Sequence, residues 1–279
     1  MSKENPLIIG YIANSVFTSR IETVAQQLGY GVEWVESAEK LGKTEKRDLP
    51  GEPISGGQTT NLTTSLSTKQ PDLLIFDLDN KAIPAPRWIA IIKSSPATRR
   101  IPILAYGIRV NPAIIEAAQK AGVNEVVSQE QFSNKLTDLI NKNARRIDYN
   151  AILTACEQPL SEFAAQGIDH FNRGEYYEAH HGLEDAWRAD GGAARDLYRG
   201  ILQVAVAYLQ IERGNYRGAI KMFLRVRQWL EPLPDICRGV NIAQLRADSE
   251  AAQAHLTELG ADRIQTFDKR YFKPVQHIK

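Results

Sequence analysis

The chain has 279 residues, of which 43% are hydrophobic and 24% are charged. This length suits about two domains, each able to bury a core of its own. The 34 Lys and Arg residues nearly balance the 33 Asp and Glu residues, and the formal net charge is +1. Charge therefore gives no reason to expect nucleic acid or an acidic membrane as the main partner.

The two cysteines, Cys156 and Cys237, are too few for a disulfide framework or a cysteine-rich zinc site, and we expect both to be small buried residues. The N-terminus carries no apolar signal sequence. The longest apolar stretch, residues 201–211, is interrupted by Gln203 and Gln210 and is far shorter than a membrane span. The sequence therefore predicts a cytoplasmic chain.

The first half alternates short apolar runs with helical patterns. Strands are predicted at residues 7–12, 32–35, 73–76, 101–106 and 123–127, and helices at 18–28, 88–93, 112–121 and 132–141. Residues 42–69 are rich in Gly, Pro, Ser and Thr, which predicts a long surface loop with one short helix near 60–67. Continuous apolar strands that alternate with helices predict a parallel sheet covered on both faces.

Helical spacing dominates the second half. Helices are predicted at residues 151–166, 176–187, 197–212, 216–230 and 242–259. The pattern Arg-Gly-x-Tyr-x-x-Ala occurs at 173–179 and again at 213–219, where a Gly that ends one helix and a Tyr that starts the next indicate antiparallel hairpins. The predicted organisation is an α/β domain over 1–143, a linker over 144–149, an all-α helical bundle over 150–260 and a C-terminal tail over 261–279.

Three segments of the first half resemble strands of a known signalling domain. Residues 71–78 (Pro-Asp-Leu-Leu-Ile-Phe-Asp-Leu), 101–106 (Ile-Pro-Ile-Leu-Ala-Tyr) and 121–127 (Ala-Gly-Val-Asn-Glu-Val-Val) are similar to the third, fourth and fifth strands of a response-regulator receiver (CheY-like) domain. The resemblance implies a flavodoxin-like fold with a five-stranded parallel sheet. It also implies that Asp77 occupies the phospho-acceptor position.

The other parts of a receiver's chemistry are missing from the matching positions. A receiver domain has an acidic pair that holds Mg²⁺, and the matching residues here are Ile12 and Ala13, or Ala13 and Asn14. The Thr or Ser after the fourth strand corresponds to Gly107, and the Lys after the fifth strand to Gln129. Without a metal and a Lys, nothing stabilises charge on a transferred phosphoryl group, and Asp79 alone cannot replace the pair. We therefore expect a pseudo-receiver in which Asp77 is inactive.

The second half concentrates polar side chains on one predicted helix. His180, Glu184 and Trp187 share a stripe at i, i+4 and i+7, and His181 is three residues from Glu184. Gly200 and Ala207 on the next helix permit close contact, which would bring Gln203 or Arg199 towards His180 and Glu184.

Two hypotheses remain open for this group. In the first hypothesis, a polar network with all its hydrogen bonds satisfied holds two helices together. Its members are His180, His181, Glu184, Trp187, Arg199 and Gln203. Alternatively, His180 and Glu184, together with His181 or Glu178, bind a divalent metal or act as acid and base. Because two ligands on one helix are a weak metal signal, neither a catalytic residue nor a metal site is assigned, and no cofactor is expected.

The same residues carry a second resemblance. Four segments resemble the helical family known as domain of unknown function 309. They are Phe-Asn-x-Gly-x-Tyr-Tyr-Glu-Ala-His from 171, Leu-Glu-x-x-Trp from 183, Gly-Ile-Leu-Gln from 200 and Arg-Gly-Asn-Tyr-Arg-Gly-Ala from 213. The family's frequent His-Glu pair is His180-His181 here. The resemblance implies a compact helical bundle with His180, Glu184, Trp187 and Gln203 at its centre, and no established activity comes with it.

The leading hypothesis is a bacterial-type, cytoplasmic, non-enzymatic regulatory or scaffold protein, in which a pseudo-receiver is fused to a helical binding domain. We expect a protein partner or self-association, and neither a membrane nor nucleic acid as partner. The first alternative is a metal-assisted or acid–base enzyme centred on His180 and Glu184. The second is a phosphorelay protein that uses Asp77.

Overall fold

The computed structural model describes residues 6–12, 15–36, 57–107 and 112–278, with the backbone alone for 15–16 and 57–61. The chain divides into two compact units between Arg146 and Ile147. Each unit has hydrophobic clusters of its own. Within the described residues, no helix combines the length and the hydropathy needed to cross a bilayer.

The first unit is built from alternating strands and helices. Its elements are β1 (Leu7–Tyr11), α1 (Ser15–Gln27), β2 (Gly31–Trp34), α2 (Gly57–Lys69), β3 (Leu73–Asp77), α3 (Ala85–Ser94), β4 (Ile103–Gly107), α4 (Pro112–Lys120), β5 (Glu125–Ser128), α5 (Gln129–Asn134) and α6 (Leu136–Asn143). The described strands form a parallel sheet in the order β2-β1-β3-β4-β5. This is the flavodoxin-like order, so the predicted fold is confirmed.

Both faces of the sheet are apolar and covered, which explains the continuous apolar strands. Leu74 and Phe76 on one face pack in a cluster with residues of α2, α3 and α4. Leu73 and Ile75 on the other face pack with residues of α1, α5 and α6. Successive residues of β3 thus enter opposite cores, and all five residues of this strand are buried.

Two elements of the first unit differ from the prediction. The helix expected near 60–67 is longer and runs from Gly57 to Lys69, and residues 42–56 of the predicted loop lie outside the described residues. The single helix expected at 132–141 is divided into α5 and α6. The division falls at Lys135, whose φ of −123° and ψ of 24° leave the helical conformation.

The second unit consists mainly of helices. Its elements are α7 (Tyr149–Cys156), α8 (Glu162–Asn172), α9 (Tyr176–Ala189), α10 (Asp196–Glu212), α11 (Tyr216–Leu230), the short strands β6 (Ile236–Cys237) and β7 (Val240–Asn241), α12 (Ile242–Leu259) and 3₁₀ turns at Ala261–Thr266 and Lys269–Tyr271. The repeated Arg-Gly-x-Tyr pattern lies at two helix–helix turns, where Gly174 (φ 78°) and Gly214 (φ 69°) have left-handed conformations. Consecutive helices from α8 to α12 pair closely, as the predicted hairpins require.

One predicted helix and the expected state of the cysteines need correction. The helix expected at 151–166 is two helices, because Pro159 has no N–H to continue the first and Ser161 caps the second through its side chain. Cys156 and Cys237 are buried as predicted, but a disulfide joins them. The end of α7 meets β6, where the Arg238 N–H donates to the Cys156 carbonyl at 2.7 Å, and the two cysteine Cα atoms lie 4.4 Å apart.

The C-terminal segment packs on the helical core. Phe267 and Val275 are buried, the Phe272 ring lies 4.5 Å from the Tyr208 ring, and the Tyr271 ring stacks on His255 at 4.4 Å. The aromatic residues of the tail therefore belong to the core of the second unit.

Candidate functional site

Asp77 ends β3 at the carboxyl edge of the parallel sheet and is largely buried. Its Oδ1 accepts the backbone N–H of Asp79 at 2.9 Å. Burial raises the pKa of the Asp77 carboxyl, and the hydrogen bond from Asp79 acts in the opposite direction. The position is the one that the receiver resemblance assigns to the phospho-acceptor.

Three of the positions that the resemblance matches to the charged and hydroxyl groups of a receiver are described in the structure. Ile12, which follows β1, is fully buried. Gly107 ends β4, and Gln129 begins α5 directly after β5. None of these three residues has a carboxylate, hydroxyl or ammonium group, while Ala13 and Asn14 lie outside the described residues.

The second candidate site lies on α9, which α8 holds at unusually short range. A Cβ at Gly167 would lie 2.9 Å from Leu183 Cγ and 3.0 Å from the Leu183 backbone nitrogen. A Cβ at Gly182 would lie 3.2 Å from the Gly167 Cα. The two glycines let the helix backbones touch, and Leu183 is fully buried beside them. This contact fixes which face of α9 remains accessible.

The accessible face carries His180, His181 and Glu184. Each offers one ligand atom, and these three atoms all lie within 4.8 Å of one another. His180 and Glu184 are half-buried, whereas His181 is exposed. Glu178, the other predicted ligand, is exposed on the same helix and lies outside this group.

Neighbouring side chains orient the three residues. Arg188 donates to Glu184 Oε1 at 2.9 Å. The Tyr177 ring meets the His181 ring edge to face, with centroids 4.7 Å apart, and His181 meets His180 at 5.2 Å. Partial burial lowers the pKa of His180, although the Glu184 carboxylate acts in the opposite direction. The lowered pKa favours the neutral imidazole, whose nitrogen lone pair can accept a proton or a metal.

Trp187 and Arg199 form a separate cluster at the next turn of α9. The Arg199 guanidinium lies between two indole rings, 4.2 Å from the centroid of Trp187 and 4.7 Å from that of Trp229. Arg195, the N-cap residue of α10, also lies over Trp187 at 4.4 Å. Cation–π stacking therefore joins α9, α10 and α11. Arg195 and Trp229 were not predicted, although the i, i+4 spacing of the two arginines places both on one face.

Gln203 does not join these two clusters. It is buried in α10, and its Oε1 has no hydrogen-bond partner among the described residues. The Trp187 Nε1 is likewise buried without a partner there. The continuous hydrogen-bonded network that the sequence predicts is thus not present in the described part of the chain. In its place are the His180, His181 and Glu184 group and the arginine–tryptophan stack.

The remaining histidines have other surroundings. His170 Nδ1 lies 2.6 Å from Glu175 Oε2 at the end of α8. His255 stacks on Tyr271, and its Nε2 accepts the Asp268 N–H at 3.3 Å. His277 is exposed near the C-terminus. In the described part of the chain, His180 and His181 are therefore the histidines that belong to a group of three side chains able to hold a metal ion.

Comparison with known proteins confirms the resemblance of the helical half. A family model described as "Domain of unknown function (DUF309)" matches residues 164–222, which run from α8 into α11. A curated relative, an uncharacterized protein of Aquifex aeolicus (strain VF5), is 28% identical over 78 residues. That match covers 28% of this chain and 23% of the relative, so the chain spans under a quarter of the relative's length.

Solved receiver structures match the other half of the chain. The phosphorylated cyanobacterial phytochrome response regulator RcpA is 16% identical, covering 49% of this chain and 92% of its own, with a TM-score of 0.36. The receiver domain of a sensor histidine kinase of Pseudomonas aeruginosa PAO1 is 17% identical, covering 50% and 96%, with a TM-score of 0.37. The strand order of the sheet is that of the flavodoxin-like fold, to which receiver domains belong, and the chain joins this fold to a helical unit that matches DUF309.

Proposed function

We propose that this chain is a non-enzymatic regulatory or scaffold protein. Its receiver-like unit serves as a docking or self-association module that does not depend on phosphorylation, and its helical unit binds a protein partner or a small ligand. The observation that supports this most strongly concerns Asp77, which ends β3. The receiver resemblance implies a phospho-acceptor here, but the residues that match a receiver's metal-binding pair and Lys carry no charge.

The chemical reason lies in the charge that develops on a transferred phosphoryl group. Mg²⁺ binds through oxygen ligands, and carboxylates are the usual protein ligands. The residues that correspond to the metal-binding pair are Ile12 and Ala13 or Ala13 and Asn14, which contain no carboxylate. Gln129 likewise offers no positive charge where a receiver has its Lys. An aspartyl phosphate at Asp77 would therefore form slowly and lack electrostatic stabilisation.

An acyl-phosphate assay tests this proposal. The intact protein is incubated with acetyl phosphate and Mg²⁺, beside a receiver domain with the full set of charged residues, and intact masses are measured. We expect the positive control to gain one phosphoryl group and this chain to gain none. A gain that the Asp77→Asn variant loses would contradict the proposal and favour the phosphorelay alternative.

Self-association is the second part of the proposal. Sedimentation velocity of the intact chain over a range of concentrations is expected to show a dimer whose fraction rises with concentration. A strict monomer at every concentration would contradict self-association and leave docking to a different protein.

We also propose a cytoplasmic location. In that compartment thiol-reducing systems act on cysteine pairs, so Cys156 and Cys237 are expected to be largely reduced in growing cells. Rapid alkylation of cell extracts followed by mass spectrometry measures the reduced fraction. A fully oxidised pair would instead indicate an oxidising compartment.

A further inference from the structure

His180, His181 and Glu184 form a group whose function the receiver-like unit does not explain. Among the residues that the structure describes, this is the one group of three His, Cys, Asp or Glu side chains whose ligand atoms converge, with every pair within 4.8 Å. Ligand atoms bound to one ion at about 2.1 Å lie about 3–4 Å from one another. Side-chain rotations that move the ligand atoms by about 1 Å would therefore close the group around an ion.

We propose that His180, His181 and Glu184 bind one divalent transition-metal ion, of which Zn²⁺ is the simplest probe. Three protein ligands leave at least one coordination position open to solvent, as in metal sites that bind water or an exogenous ligand. The proposal goes beyond the proposed function, which assigns a metal to neither unit.

The helix supplies the convergence. His180 and Glu184 are one turn apart, and His181 is three residues before Glu184, so both imidazoles are surface neighbours of the same carboxylate. The close packing of α8 against Gly182 and Leu183 covers the opposite side of α9 and holds the backbone that carries all three ligands. The ligands thus lie on a rigid element rather than on a loop.

The donor set selects the class of ion. Two imidazole nitrogens and one carboxylate oxygen suit Zn²⁺, Co²⁺, Ni²⁺ or Cu²⁺, whereas Mg²⁺ and Ca²⁺ prefer oxygen ligands alone. The half-buried His180 ring lies 5.2 Å from the His181 ring, edge to face.

Arg188 is the neighbouring charge that matters most. It donates to Glu184 Oε1 at 2.9 Å and so holds the carboxylate in place. Hydrogen-bonded carboxylates are common metal ligands, because the second partner sets their orientation. The arginine is 63% exposed and the pair is an i, i+4 surface ion pair, which contributes little stability by itself. Sharing Glu184 with a metal therefore costs little.

A competition titration tests the site. Tag-free, full-length protein is stripped of metal with a chelator and titrated with Zn²⁺ in the presence of a fluorescent zinc indicator. The variants are His180→Gln and Glu184→Gln, and the matched control is His277→Gln, which removes an exposed histidine outside the group. We expect one ion per chain in the wild type and in the control, and an affinity more than about tenfold weaker in each ligand variant.

Two further measurements separate loss of the site from loss of the fold. Circular dichroism of the metal-free proteins is expected to be the same for all variants, since Glu184→Gln preserves the shape of a half-buried side chain. Zn²⁺ is expected to raise the melting temperature of the wild type and of the control but not of the two ligand variants. Absence of stoichiometric binding by the wild type would overturn the proposal, as would equal affinity in the control and in the folded ligand variants.

Discussion

The disulfide between Cys156 and Cys237 closes a loop that contains α8, α9, α10 and α11. The two residues are 81 positions apart. A cross-link stabilises a protein chiefly by restricting the unfolded chain, and for a loop of 81 residues the loop-closure expression gives about 4.5 kcal/mol at 25 °C. Measured contributions of disulfides are commonly about 2–4 kcal/mol. We therefore expect reduction to lower the free energy of unfolding of the helical unit by about 2–5 kcal/mol.

The assay must separate the two compact units of the chain. Peptide-resolved hydrogen exchange of the oxidised and the reduced protein, across a series of urea concentrations, reports each unit by itself. Peptides from α8 to α11 are expected to lose protection at lower urea after reduction. Peptides from β3 and β4 provide an internal control and are expected to keep theirs. The double variant Cys156→Ala and Cys237→Ala should exchange like the reduced protein without any reductant.

Two results would refute this reasoning. Equal protection of the helical peptides in the oxidised and reduced proteins would show that the cross-link does not constrain the unfolded chain. An equal loss of protection in β3 and β4 would show that the effect is not confined to the unit that contains the loop.

Three further changes test other parts of the structure. Leu183→Ala removes a fully buried side chain beside Gly167 and should lower the free energy of unfolding by about 2–5 kcal/mol in urea denaturation; a loss below that range would mean that the site collapses or is loosely packed. Arg199→Lys keeps the charge but removes the planar group between Trp187 and Trp229. The free energy of unfolding should fall by about 1–2 kcal/mol, and the tryptophan fluorescence should change. An unchanged fluorescence spectrum would contradict the stacking. Burial raises the pKa of Asp77, so the folded state binds this proton more tightly than the unfolded state does. The wild type therefore loses stability as the pH rises from the ordinary Asp pKa through the raised pKa of the folded state. Asp77→Asn should therefore raise the melting temperature at alkaline pH, with a gain that shrinks on acidification below the ordinary Asp pKa; an equal gain at every pH in thermal melts would refute this explanation.

The parallel sheet illustrates what local patterns predict well. Buried strands of a parallel sheet must be apolar on both faces, and β3 meets this requirement at every position before Asp77. Helix ends were harder to predict, because they depend on caps and on single residues. Ser161 starts α8 through a side-chain hydrogen bond, and Lys135 ends α5 by leaving the helical conformation.

The candidate site was predicted in part. Helical spacing alone places His180, His181 and Glu184 on one face, and the structure brings their ligand atoms together. The predicted role of Gln203 depended on which residue of α10 faces which residue of α9. The packing of three helices decides which residues face one another, and it places Arg199 over Trp187.

Residues close together in the chain encode four features: the order of strands and helices, the apolar faces of the sheet, the left-handed glycine turns and the helical stripe of histidines. Backbone sterics and side-chain periodicity act directly over such short separations. The contacts between residues far apart in the chain required the tertiary structure. Cys156 meets Cys237 across 81 positions, and Arg199 inserts between two tryptophans of different helices. Such contacts depend on how whole elements pack, because side-chain volume and helix register, summed over many residues, decide which distant groups become neighbours.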